Sequence, residues 1–302
     1  MSQQLDLFTL HNIEKSDYYR NLKKLDFNCA YENLEKWDHT FEPPENKKKK
    51  KKQLKEIEHE IGCPSSLDVK KLAKLIETYK QNSKYLNLYP ELHLIVNGLT
   101  AILAQKLITD QYDFISPSIH PAEIFIETQK YNEAIKVVDR YIEKNNENAY
   151  LRQLQSFAYY QTKNERSALI CLSFALFNNP LACKEDYLIN EDIIDIFNNL
   201  KNRYANSETA WQQLPYILWE KNIIPVLPKA IQYESYLIGK LMLRKKEIKE
   251  KDSKNIKFLH LLYISEAMRI RNEEWNKIKK IREQMKHINP EMFQIYLNHI
   301  NK

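Results

Sequence analysis

Glycine is scarce in this chain. Its 302 residues include three, Gly62, Gly98 and Gly239, and they lie far apart. Nucleotide-binding loops need clustered glycines so that backbone amides can approach a phosphate, and such loops are therefore excluded. Cysteine is also sparse. Cys29, Cys63, Cys171 and Cys183 show no paired spacing of the kind that holds zinc. Cys29 and Cys171 fall within apolar helical patterns and read as small buried hydrophobes, which implies a reducing compartment. The eight histidines are scattered. His59 and Cys63 stand close in sequence, but no second ligand pair follows them. Neither G-x-S-x-G nor H-E-x-x-H occurs. Glu191, Asp192 and Asp195 are grouped near an expected helix start, where negative charge suits the helix dipole rather than acid–base chemistry. No apolar run reads as a membrane span, and the N-terminus lacks the basic-then-apolar order of a signal peptide. The expectation is a cytoplasmic protein, not an enzyme, with no catalytic residues, cofactor, metal or membrane contact.

Hydrophobic residues make up 43% of the chain, enough for a folded core. The 46 basic and 40 acidic residues are interspersed and leave a net charge of +6. A balance of this kind permits weak contact with nucleic acid without requiring it. Few glycines and long Leu/Ile/Lys/Glu-rich stretches predict an all-α chain.

Along the chain, residues 1–12 read as a flexible tail and 13–44 as a helical hairpin. The hairpin's helices run from Asp17 to about Leu25 and from Asn28 to about Thr40, the second capped by Asp26 and carrying an apolar stripe of Ala30, Leu34 and Trp37. Residues 45–53 read as a solvated linker or frayed helix start, because Lys47, Lys48, Lys49, Lys50, Lys51 and Lys52 follow one another without interruption. These lysines are expected to be dispensable for folding and to offer, at most, electrostatic contact with phosphate. Helices are expected next near 53–60, 66–82 and 91–109, the last strongly apolar and central. A helical array over 54–224 and a further helical segment over 225–302 complete the chain, with a break at Ile223–Pro228.

Within the array the sequence repeats. Ala122 and Ser156 are 34 residues apart, as are Phe125 and Tyr159, Ala134 and Ala168, Val138 and Leu172, and Tyr141 and Ala175. Small residues at the first and third pairs let two helices approach closely, and aromatics fill the space between hairpins. Pro180 stands where such a repeat ends. Paired helices on this period resemble the tetratricopeptide (TPR) repeat. The resemblance implies a TPR-like helical-hairpin solenoid with hairpins at 121–145 and 149–178. It also implies a concave groove lined by Tyr150, Gln153, Phe157, Tyr160 and Gln161, in which an unidentified protein or peptide binds.

The N-terminal string Gln4-Leu5-Asp6-Leu7-Phe8 resembles the short peptide by which bacterial replication and repair proteins dock on the DNA sliding clamp. The resemblance implies that Leu7 and Phe8 fill a pocket and that the Gln4 amide anchors its rim. The expected function is a non-enzymatic adaptor in replication or repair, with the clamp and a groove ligand as partners and DNA an indirect one. Two alternatives remain open: a general TPR interaction module with its tail packed on its own body, and a nucleic-acid binder that uses the lysine run and the basic C-terminal helices.

Overall fold

In the computed structural model, residues 7–36, 43–81, 88, 91–110, 115, 119–144, 147–242 and 250–301 are described. They form fifteen α-helices and, among the described residues, no β-strand. The chain divides into two compact units at Lys130/Tyr131.

The first unit holds α1 (Leu7–Lys23), α2 (Phe27–Lys36), α3 (Pro44–Ile61), α4 (Val69–Gln81), α5 (Glu91–Asp110) and α6 (Pro121–Glu127). Asp26 caps α2, its carboxylate accepting from the Cys29 amide at 3.1 Å. The apolar positions of α5 (Ile95, Leu99, Leu103) are fully buried, together with Leu22 of α1 and Leu72 of α4. α5 is the packing helix of this unit, in contact with α1, α4 and α6. Over Glu91–Thr109 it is also long and apolar enough to cross a membrane, contrary to the sequence expectation that no segment reaches that length. Gly98 has a packing role on α5. A Cβ there would sit 2.5 Å from the Lys23 carbonyl oxygen and 3.0 Å from the Leu25 side chain, so only glycine lets the end of α1 lie against α5.

The lysine run differs from the expected linker. It lies inside α3, and because six consecutive residues circle a helix, some of them must face inward. Lys47 is 7% exposed. The Lys50 ammonium stands 3.1 Å from the fully buried carboxylate of Glu91, an ion contact off the hydrogen-bond axis. Lys51 pairs with Glu35 of α2. Tyr31 donates to Glu58 at 2.8 Å and Tyr79 to Glu60 at 2.9 Å, so α3 is held from both sides.

The second unit holds α7 (Tyr131–Lys144), α8 (Ala149–Gln161), α9 (Glu165–Asn178), α10 (Glu191–Tyr204), α11 (Ser207–Glu220), α12 (Ile231–Met242), α13 (Glu250–Ile270), α14 (Trp275–Ile288) and α15 (Pro290–Ile300). α8 and α9 form a tight hairpin. Ser156 and Ala168 are both fully buried where the two helices meet, and the Ser156 hydroxyl donates to the Ala168 carbonyl at 2.7 Å. α9 is the centre of the unit's core, with Leu172, Leu176 and Phe177 in one cluster with Leu218 of α11, Leu262 and Tyr263 of α13, and Tyr296 of α15. The expected break at 223–228 is tied into this unit. Pro225 O accepts from Ser173 at 2.6 Å, the Leu227 amide donates to Tyr263 at 3.3 Å, and Arg271 donates to Pro228 O at 2.7 Å.

With so few glycines, the helices stop by other means. Leu25, Gln129, Lys163, Asn222 and Asn272 all take φ between 55° and 64° just past a helix. After α8, the Lys163 amide bonds Tyr160 O at 3.0 Å and the Asn164 amide bonds Tyr159 O at 2.9 Å, the two-bond turn that usually employs glycine. The same pair of bonds closes α1, α6, α11 and α13. A left-handed residue with a Cβ costs about 1–2 kcal/mol, partly offset by the extra chain entropy that glycine would lose. Lys163→Gly should therefore raise stability by about 0.5–1 kcal/mol in urea unfolding. Gly98→Ala should lower it by about 1–3 kcal/mol, since the obstacle is backbone rather than a pliable side chain. Equal and small effects at both positions would contradict these placements.

Candidate interaction surfaces

Gln4, Leu5 and Asp6 lie outside the described residues. Leu7 and Phe8 form the backbone of the first turn of α1, so the helix begins ten residues before the expected start at Asp17. Trp37, expected on the stripe of α2, also lies outside the described residues.

The aromatic face of α8 is occupied by the chain itself. Gln153 is fully buried, and its amide makes two bonds to one backbone unit: Nε2 donates to Lys184 O at 2.7 Å and Oε1 accepts from Lys184 N at 2.8 Å. The Tyr187 ring lies 5.6 Å from Phe157 and 6.1 Å from Tyr150. The Lys184 ammonium bonds the Tyr150 hydroxyl at 2.8 Å. Tyr160 packs against the core, and Gln161 is exposed. The segment at 184–187 thus takes the place that a groove ligand would need at Gln153 and Phe157. A glutamine reaching backbone 31 residues ahead leaves no trace in the local sequence pattern.

Elsewhere in the second unit, a hollow of about 490 Å³ is lined by Arg166, Ile170, Trp219, Pro225 and Arg269 among others. Glu266, 1% exposed, lies among its lining residues and accepts from Arg269 at 2.8 Å and from the Tyr296 hydroxyl at 2.7 Å. The carboxylate is thus paired within the fold. In the first unit, Lys48, Lys52, Lys55 and His59 line a shallow hollow of about 640 Å³ along α3. Lys48, Lys49 and Lys52 are the lysines of the run left exposed.

The cysteines split differently from the sequence reading. Cys171 is buried as expected, whereas Cys29 is exposed. Burial pushes the Cys171 thiol up to about 12 and raises that of Cys183 as well, so neither forms a thiolate near neutral pH. Among the described residues no group of three His, Cys, Asp or Glu side chains could hold a metal ion. Asn190 caps α10 through the Ile193 amide at 2.9 Å, and Glu191 and Asp192 stand in that helix's first turn.

No protein-family model, curated protein or solved structure matches the chain.

His260 is a buried structural group. Its Nε2 stands 2.9 Å from the carbonyl of Asn178, an orphan acceptor at the end of α9, which fixes the proton on that nitrogen. Nδ1 is buried without a partner, and burial pulls the pKa down to about 4. The unfolded chain takes up this proton near 6.5, so between those values the unfolded state binds more protons. Stability from this site is complete above pH 6.5 and is lost as pH falls toward 4, by about 3 kcal/mol in all. His260→Gln should flatten that part of the stability profile in urea titrations from pH 7 to pH 4; an unchanged slope would contradict a buried neutral imidazole. In the first unit, Lys50→Ala leaves Glu91 buried and uncompensated and should cost about 3 kcal/mol. Lys49→Gln, fully outward, should change stability by less than about 0.5 kcal/mol. A Lys50 variant as stable as the Lys49 variant would return the run to the status of a solvated segment.

Proposed function

We propose that this protein is a non-enzymatic helical interaction protein that docks on the bacterial DNA sliding clamp through Gln4–Phe8 and carries its TPR-like hairpins as a body for a second partner in replication or repair. The single observation that carries the reading is the string Gln4-Leu5-Asp6-Leu7-Phe8. Leu7 and Phe8 are large apolar side chains, each worth about 1.5–3 kcal/mol when buried in a partner's pocket. Ordering each residue of the peptide costs about 1–2 kcal/mol, so a single peptide binds weakly and gains from the several equivalent pockets of a ring. Because Leu7 and Phe8 begin α1, docking in extended form requires the first helical turn to unwind, and helix ends are where local opening is easiest.

The body supports an interaction role in a limited way. The α8–α9 hairpin stands on the 34-residue register, but Gln153 and Phe157 are engaged by the segment at 184–187. The second partner is therefore better sought on other faces than on that groove.

The test is a titration of a synthetic peptide of residues 1–10, and of the full chain, against the purified clamp. Both should bind, and Leu7→Ala with Phe8→Ala should abolish binding while the helical signal of the body stays unchanged. Gln4→Ala should weaken binding tenfold or less, the equivalent of one hydrogen bond of about 0.5–1.5 kcal/mol. No binding by peptide or chain at millimolar concentration would end this reading. Binding by the peptide alone would mean that the tail is held by its own body.

A further inference from the structure

Trp275 is 60% exposed, the largest exposure among the aromatic side chains of the described residues. It opens α14, a helix with five cations (Lys277, Lys279, Lys280, Arg282, Lys286) and one carboxylate, Glu283. The helix is anchored by Ile278 and Met285, both buried. Trp275, Lys279 and Lys286 lie four and then seven residues apart, so they share one face next to the anchor, with Arg282 at its edge.

That edge is built. The Arg282 guanidinium lies 5.2 Å from the Trp275 ring centroid and 5.3 Å from that of Tyr296. It is also held by Ser265, to which Nε donates at 3.3 Å, and faces Glu266 at 3.8 Å. One side of the indole is thus covered by a fixed cation while much of the rest remains open to water. Lys277 is engaged by Glu274 at 3.6 Å. Lys279, Lys280 and Lys286 have no acidic partner among the described residues.

We infer that this face of α14 binds single-stranded nucleic acid, a base stacking on Trp275 and backbone phosphates lying on Lys279 and Lys286. Aromatic side chains beside unpaired cations are the elements that sequence-tolerant single-strand binding uses, one for the base and the others for the phosphates. Arg282 fixes the plane of the ring and adds positive charge behind it. A membrane surface fits less well. An interfacial helix inserts its apolar face, and that of α14 is turned inward through Ile278 and Met285. The α3 lysine run fits less well than α14, since Lys47, Lys50 and Lys51 are engaged within the fold and the ring beside Lys51, that of Tyr31, is largely buried. The inference is independent of clamp docking: it concerns a different surface and a different ligand.

The experiment is fluorescence anisotropy of a labelled oligothymidine of about 20 nucleotides, titrated with the full chain at several salt concentrations. The full chain should bind, more weakly as salt rises. Trp275→Ala should weaken binding by about 5- to 150-fold, the effect of unstacking one base, and leave the salt dependence unchanged. Lys279→Gln with Lys286→Gln should reduce the salt slope by about 1.4, or about 0.7 for each phosphate no longer neutralised. Lys48→Gln with Lys52→Gln on α3 should change neither. All these positions are exposed to solvent, and thermal melts by circular dichroism report whether each variant is folded. Absence of binding at low salt would overturn the inference. So would binding that ignores Trp275→Ala in a folded variant, or binding to phosphatidylserine vesicles but not to the oligonucleotide.

Discussion

Every helix end leaves backbone amides or carbonyls without partners, and a chain with fifteen described helices must satisfy them many times over. At several of its helices this sequence does so with asparagine at the start or a left-handed turn at the stop. Asn148, Asn164, Asn190, Asn206 and Asn289 each accept an amide of the first turn that follows. Asn289 serves two helices, its amide closing α14 on Met285 O at 3.0 Å and its side chain opening α15. Short connectors of this kind let α8 and α9 pack as a hairpin, and α10 and α11 likewise. Where caps from neighbouring residues run out, a buried side chain substitutes, as His260 does at Asn178 O, 2.9 Å from its Nε2.

The same rule separates what could be read from the sequence from what could not. The all-helical class follows from composition. The contact of Ser156 with Ala168 follows from small residues on a 34-residue register, because close helix packing demands small side chains at fixed spacing. The lysine run misleads because charge patterning predicts solvation, whereas helical geometry turns some of any six consecutive residues inward; Glu91, 41 residues beyond Lys50, supplies the compensating charge. Cys29 misleads in the opposite direction, lying on an apolar-looking helix but on its outer side. The groove expected on α8 rests on a resemblance, and Gln153 is instead clamped to Lys184 by long-range bonds that no local pattern encodes. Trp275 carries a visible signal, an aromatic among lysines, but sequence alone does not say whether such a ring packs inward.

Several titratable side chains are turned inward. The thiols of Cys171 and Cys183 are held protonated by burial, Glu266 is neutralised by Arg269 and Tyr296, and Glu234 is bound by Arg271 at 2.9 Å. These groups are tied into the fold. The proposed contacts lie instead at the N-terminal string and on the exposed face of α14.

In the proposed docking, the first residues, and not the helical body, make the contact with the clamp. Hydrogen exchange of the full chain, with and without purified clamp, tests it most directly. Added clamp should protect amides confined to residues 1–10 and leave exchange in α8, α9 and the segment at 184–187 unchanged. Protection centred on the body, with none at the N-terminus, would contradict it.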